Sequence, residues 1–391
     1  MMDDAVRRAE ALVLEAATDP GAWSLALGEI CRSAGAYGAT MLPLEGRVPG
    51  TPHSDSLSEL ADSYFRGGWA ERDFRIRGIP KLSRTGVVVE QDFTTEAQMR
   101  KEPYYQELLA PFGLRWFSGV AVRADEDVWC LAFQRTEEQG FFTRDEQLGL
   151  RRLAAPLSRA ATLGRRISAA RLAGLTDVLE AVGCASLLLD RAGHVTRANR
   201  RAELILGQDL AIARGELLAP REAGVSAAIR RHVAAVLWSP IYPDAPSLSP
   251  VAVPRPGRRP LILQAQSLRG AGSDFFAPGR AIVFVTDPDE RCAPARETLR
   301  LLFDLTEAEA RLAVSLSGAF QLPLAAKEVG VSYETARTYL KSILAKTGTR
   351  NQAELLSLLT RVARQRPPAM LGESDPHKGK HRCSPRGGIG C

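Results

Sequence analysis

The stretch that decides the reading is Val331-Ser-Tyr-Glu-Thr-Ala-Arg-Thr-Tyr-Leu-Lys-Ser-Ile-Leu-Ala-Lys346. At helical spacing Ala336, Leu340, Ile343, Leu344 and Thr347 fall on one stripe, while Tyr333, Glu334, Arg337, Thr338 and Lys341 fall on the other side. This pattern predicts an amphipathic helix whose outer face carries hydrogen-bonding and cationic groups. Ser332 suits its N-cap, where a hydroxyl accepts from an orphan backbone N–H. Gly348 suits the position after its end, where a left-handed backbone costs little.

Three shorter helical signals surround it. Thr306-Glu-Ala-Glu309 reads as a capping box opening a helix to about Leu316, with Gly318 beyond its end. Leu324 to Val329 predicts a second helix, and Gly330 the tight turn into the third. Asn351-Gln-Ala-Glu354 opens a fourth, with Leu355, Leu359 and Val362 on one face. A short helix, a glycine turn and a helix with a polar outer face make a helix-turn-helix, which presents its second helix to the DNA major groove.

Leu305-Thr306, Glu309, Gly330-Val331-Ser332, Thr335-Ala-Arg337-Thr-Tyr339-Leu, Ile343-Leu, Lys346-Thr-Gly348 and Arg350 together resemble the LuxR/FixJ-type (GerE-like) DNA-binding domain without a gap. The resemblance covers about sixty residues. It departs from the family at Ala308, where Arg is usual, at Tyr339, where His is frequent, and at Leu322-Pro323-Leu324, which replaces a polar stretch. By resemblance, Thr335, Arg337, Thr338 and Lys341, with Tyr333, face base edges or phosphates. Ser332, Lys346 and Arg350 are implied as phosphate anchors, and Leu355, Leu359 and Val362 as the dimer-forming face. Double-stranded DNA and a second copy of the chain are the implied partners, with RNA polymerase a further candidate.

The rest of the chain is long enough for more. At 391 residues, with 45% hydrophobic and 25% charged residues, it can bury two or three cores. The net charge of +6 is weak evidence for an anionic partner by itself. Its distribution says more: from Arg337 to Arg366 seven cations face only Glu354. A local cationic surface on a helix-turn-helix is a phosphate-binding footprint.

Residues 1–165 predict one mixed domain in which an antiparallel sheet is flanked by helices. Its clearest signals are a helix over Trp23 to Ala34, strands over Tyr37 to Leu44, Arg115 to Arg123 and Val128 to Arg135, and a turn at Asp125-Glu126-Asp127. Thr143-Arg-Asp-Glu146 launches a long helix past Arg171, with a kink expected at Pro156. The order looks like a GAF-type sensor module, and equally like the pheromone-binding half of shorter LuxR proteins. Within it, Tyr64-Phe-Arg-Gly-Gly-Trp69-Ala-Glu-Arg-Asp73 is similar to the aromatic-plus-aspartate pattern around the polar head in acyl-homoserine-lactone receptors. Trp116 is a candidate second wall. Tyr64, Trp69, Asp73 and Trp116 therefore form the candidate ligand pocket, with plain core packing as the alternative.

Residues 172–290 predict two strands, several helices and three strands. Leu187 to Gly207, with its Asp190-Arg-Ala-Gly193 turn and Ala198-Asn199 before a helix, resembles the start of a PAS domain. His194 and His232 are candidate haem ligands only in isolation, because a turn histidine and a lone helical histidine are ordinarily solvated or core-edge groups. Asp287 to Pro294 reads as a linker. Domain boundaries follow: a GAF-like or autoinducer-binding-like domain over 1–165, a PAS-like domain over 172–290, a DNA-binding domain over 296–365 and a disordered tail over 366–391. The fold class expected is multidomain, with α+β sensor modules ahead of an all-α four-helix helix-turn-helix domain.

Other function classes lack their residues. No phosphate-binding Gly-x-x-x-x-Gly-Lys-Ser/Thr loop, no metal-spaced His/Cys/Glu set and no receiver-type acidic pair occurs. No catalytic site, metal or cofactor is expected. The six cysteines are scattered without a Cys-x-x-Cys, which suits thiols in a reducing cytosol, although Cys383 and Cys391 admit a redox pair. Met-Met-Asp-Asp lacks the basic and apolar regions of a signal peptide, and no apolar run approaches the about 20 residues that span a bilayer. The sequence therefore predicts a cytoplasmic, effector-responsive, DNA-binding dimer. A protein-binding adaptor with a degenerate helix-turn-helix is the alternative, and an acyl-homoserine-lactone receptor is the alternative within the regulator class.

Overall fold

The computed structural model describes residues 11–13, 15, 16, 18–46, 49–238, 249–268, 276–290, 293–319 and 321–364. The expected disordered tail, the Cys383/Cys391 pair and most of the Pro/Ser-rich loop after Trp238 lie outside the described residues. The chain divides into two compact units, residues 1–290 and 291–391. The first is built on two mixed layers of sheet and helix, and the second is helical.

In the first unit, helix α1 (Trp23–Ser33) precedes strand β1 (Gly38–Pro43). Helices α2 (Ser58–Arg66) and α3 (Ile79–Thr85) lead to β2 (Val87–Val89). Helix α4 (Glu96–Met99) and, after Pro103, a π-helical turn, Tyr104–Leu109, come next. Strands β3 (Leu114–Ala124) and β4 (Asp127–Thr136) follow, and the antiparallel order is β1-β4-β3-β2. Because side chains alternate across a strand, β4 sends Trp129, Leu131 and Phe133 to one face and Cys130, Ala132 and Gln134 to the other. The first set meets α1 through Trp23, Leu27 and Ile30.

Helix α5 (Arg144–Arg151) opens with the expected capping box, in which Thr143 and Glu146 exchange hydrogen bonds. A 28-residue helix, α6 (Ala154–Ala181), follows after a break at Arg152-Leu153. The break falls four residues before the expected kink, Pro156, and has that proline as its cause. Pro156 has no N–H to offer, and its ring crowds the carbonyl four residues back.

The second sheet contains β5 (Ala185–Leu189), β6 (Val195–Ala198), β9 (Val251–Arg255), β10 (Arg258–Ser267) and β11 (Ala281–Thr286), in the order β6-β5-β11-β10-β9. Helix α7 (Arg200–Ile205) is capped by Asn199, whose Oδ1 accepts from the Ala202 N–H at 3.0 Å. A small hairpin of β7 (Ala211–Ala213) and β8 (Glu216–Leu218) follows α7. Helix α8 (Ala223–Trp238) then covers the sheet with Ile229, Val233, Val236 and Leu237. The segment read as a linker is more firmly held than expected. Asp287 takes both terminal nitrogens of buried Arg255, at 2.6 and 2.8 Å, and Asp289 accepts from the Arg259 N–H at 2.9 Å.

The second unit has five helices among its described residues, one more than expected. The additional one, α9 (Arg296–Phe303), precedes α10 (Glu307–Ala319), α11 (Leu322–Val329), α12 (Tyr333–Thr347) and α13 (Gln352–Arg364). Helix α10 runs through Gly318 rather than ending before it. Helix α11 starts two residues early because Pro323 fits a first turn, where its missing N–H costs nothing. Gly330 and Gly348 adopt φ of 78° and 67°, the left-handed values at which each ends a helix. Among the described residues no helix is long and apolar enough to cross a membrane.

Candidate functional site

Helix α12 is held by its inner side. Ala336 and Ile343 are fully buried in a core with Leu312, Leu316, Leu355 and Leu359, and Leu340 and Leu344 pack against it. Ser332 caps the helix, its Oγ accepting from the Thr335 N–H at 3.1 Å and lying 2.8 Å from the Thr335 Oγ1. Tyr333, Glu334, Arg337, Thr338 and Lys341 are exposed, as the pattern predicted. The Thr338 hydroxyl donates back to the Glu334 carbonyl at 3.1 Å.

The cations of this unit fall into two groups. Arg296 and Arg300 are tied to Glu307 at 3.0 and 3.2 Å. The Arg337, Lys341 and Arg350 side chains have no ion pair or hydrogen bond among the described residues. Arg337 and Lys341 lie four residues apart on one face of α12.

Lys346 is tied within the unit. Expected to anchor a phosphate, its ammonium donates instead to Glu309 Oε2 at 2.7 Å and to the Asp304 carbonyl at 2.9 Å. Glu309 closes the Thr306 capping box, accepting from the Thr306 N–H at 2.7 Å, and also accepts from the Ser342 hydroxyl. Burial opposes its charge, but Lys346, Ser342 and Thr306 hold the carboxyl down at about 2. Lys346 thus fixes α12 to the start of α10. Of the expected dimer face, Leu355 and Leu359 are fully buried within the unit's own core, and Val362 packs on it. The exposed side of α13 carries Ala353, Ser357, Thr360 and Arg361.

In the first unit, the predicted pocket quartet does not share one wall. Tyr64 lines a cavity of about 40 Å³ together with Leu57, Leu60, Phe65, Leu108 and Leu109. Asp73 lines a second cavity of about 40 Å³ together with Arg75, Leu82, Phe117, Cys130 and Ala132. Leu42, Tyr104 and Gln134 border both. Trp69 borders neither; the Arg72 guanidinium stacks on it at 3.9 Å, and its ring meets Tyr104 edge-on at 6.2 Å. Trp116 also borders neither and packs edge-on to Phe141 at 6.0 Å. The nearest link within the quartet is the Tyr64 hydroxyl, which donates to Asp73 Oδ2 at 3.0 Å.

Beside the second cavity, which Arg75 lines, is a buried polar network that sequence reasoning missed. Arg75 donates from Nε and Nη2 to Glu90, the latter at 2.7 Å, and from Nη1 to Gln134 Oε1 at 2.8 Å. The Tyr105 hydroxyl donates to Glu90 as well. Burial works against charge on Arg75, yet Glu90 keeps it charged and above the ordinary arginine value. Burial pushes the Glu90 carboxyl up, with Arg75 and Tyr105 pulling the other way. Phe117 at 4.8 Å and Tyr104 at 5.6 Å flank the guanidinium. The only sequence signal was a glutamate closing the apolar run Val87-Val-Val-Glu90.

The two histidines considered as ligands are otherwise occupied. His232 Nε2 accepts from the Ala265 N–H at 2.9 Å, which places the ring proton on Nδ1, and burial lowers its pKa. His194 sits in the β5–β6 turn, 3.7 Å from Asp190.

No protein-family model matches this sequence, and no curated protein matches it. Among solved structures, a phage VqmA in complex with DPO is 17% identical over 53% of this chain and 96% of that one, at a TM-score of 0.22. A Vibrio cholerae VqmA dimer, described as a LuxR-type receptor, is 15% identical over 51% and 93%, at 0.19. The bacteriophytochrome RpBphP3 of R. palustris is 13% identical over 72% and 63%, at 0.30. At such TM-scores these likenesses carry no argument about this chain.

Proposed function

We propose that this chain is a cytoplasmic transcriptional regulator that binds double-stranded DNA as a dimer through α12, under control of a small molecule held by the first unit, and is not an enzyme. The observation that carries the reading is the sorting of cations around α12. Lys346 is consumed in fixing the helix, whereas Arg337, Lys341 and Arg350 keep exposed side chains without partners among the described residues. An exposed arginine on a helix held by its apolar side can offer a bidentate fork to guanine, and exposed cations beside it suit phosphates. The sequence resemblance assigns the same helix to the groove. With Leu355 and Leu359 buried, the dimer contact is assigned to the outer side of α13.

Selection of binding sites from random duplexes tests the reading. The full chain should enrich a two-fold sequence with half-sites about one helical turn apart. Arg337→Ala should relax one base position, and Lys341→Ala should weaken all sequences alike. Retention of a protein partner with no enriched duplex would favour the adaptor reading instead.

A further inference from the structure

Two deeply buried polar side chains at the sensor cavities end in groups that no described residue holds. Gln134 is 5% exposed and Tyr104 4%. Arg75 can only donate, so the Gln134 oxygen must face it, and Nε2 is turned the other way. Neither that Nε2 nor the Tyr104 hydroxyl has a hydrogen-bond partner among the described residues, and both residues border both cavities. A buried donor left without a partner is costly, so such groups call for an acceptor from outside the chain.

We propose that the two cavities form one site for a small, neutral molecule bearing a carbonyl-type oxygen, which takes hydrogen bonds from Gln134 Nε2 and the Tyr104 hydroxyl. Its short apolar part lies against Leu57, Leu60, Leu108 and Leu109. An acid is disfavoured: the Arg75 fork already serves Glu90 and Gln134, and Asp73 and Glu90 set two carboxylates nearby. A long acyl chain is disfavoured by size, since two cavities of about 40 Å³ each have together the room of only a few waters. This assignment rests on the regulator reading only for its role as effector site; the binding itself does not.

The test is ligand-observed NMR on the full chain with acetone as probe, and propane and acetate as controls. Acetone should bind, and Tyr104→Phe should weaken it roughly three- to tenfold, the loss of one hydrogen bond. Tyr104→Phe should also leave the melting temperature unchanged or raised, because it deletes only an unpartnered hydroxyl. Absence of acetone binding, equal binding by Tyr104→Phe, or equal binding of either control overturns the proposal. A lowered melting temperature for Tyr104→Phe overturns it too, by showing that the hydroxyl has a partner inside the protein. DNA affinity is measured in parallel. Lost ketone binding with DNA retained overturns the cavity assignment alone; ketone binding without DNA affinity overturns the regulator reading and the effector role with it.

Discussion

Phe276 meets Trp129 edge-on, with ring centroids 4.9 Å apart, and so joins the two sheets of the first unit. Phe276 lies in the connection between β10 and β11 of the second sheet, whereas Trp129 belongs to β4 of the first. Trp23 of α1 closes the other side at 5.3 Å, leaving Phe276 fully buried. Arg191, from the β5–β6 turn, adds a polar tie, donating to Asp127 at 2.8 Å and stacking on Trp129 at 4.8 Å. A change in one sheet's packing is thereby felt by the other, since close-packed interiors transmit strain.

Phe276→Ala should remove that joint. Emptying a fully buried aromatic site costs about 3–5 kcal/mol. Urea unfolding of the full chain should show the loss, and hydrogen exchange should quicken in β4 as well as in β11. Quickening confined to β11 would show that the ring does not couple the sheets.

The Arg75–Glu90 pair predicts an asymmetry. Glu90→Gln leaves a buried guanidinium without its carboxylate and should destabilise by about 3–5 kcal/mol. Replacing both partners with apolar residues, as Arg75→Met with Glu90→Leu, should cost far less, because two desolvated charges vanish together. Equal losses in the single and double variants, by urea unfolding, would show that the pair's value lies in packing alone.

Acid should loosen the helical unit through Glu309. Its carboxyl is held at about 2, below the usual carboxylate range, so the unfolded chain binds a proton first. The stabilisation is complete above about pH 4.5 and is lost as pH falls towards 2. Glu309→Gln should remove that segment of the pH dependence and lower stability at neutral pH by about 2–3 kcal/mol. An unchanged acid profile, followed by circular dichroism, would contradict the Lys346–Glu309 tie.

Local patterns were readable in the sequence where local chemistry decides them. Ser332 and Gly348 bound α12 as their types require, Thr143 and Thr306 close capping boxes, and the Asp125-Glu126-Asp127 turn marks the hairpin of β3 and β4. Long-range commitments were not readable. Lys346 looks like any surface lysine until Glu309, 37 residues earlier, is folded against it. Arg75 and Glu90 lie 15 residues apart, and charged residues are ordinarily exposed, so nothing local announces a buried pair. Leu355 and Leu359 show an apolar face without saying whether it serves the unit's own core or another copy. The members of the pocket quartet are spread for the same reason: aromatic spacing places side chains along a chain, not around a cavity.

The most direct measurement of the central claim is the salt dependence of DNA affinity for the full chain and for the triple variant Arg337→Ala, Lys341→Ala, Arg350→Ala. Each phosphate contact contributes about one unit to the slope of log affinity against log salt. The account predicts a steep slope for the unaltered chain and a slope shallower by about two in the variant, with Arg337 assigned to a base rather than a phosphate. Slopes that coincide, with affinity unchanged, would show that the exposed side of α12 does not meet the duplex.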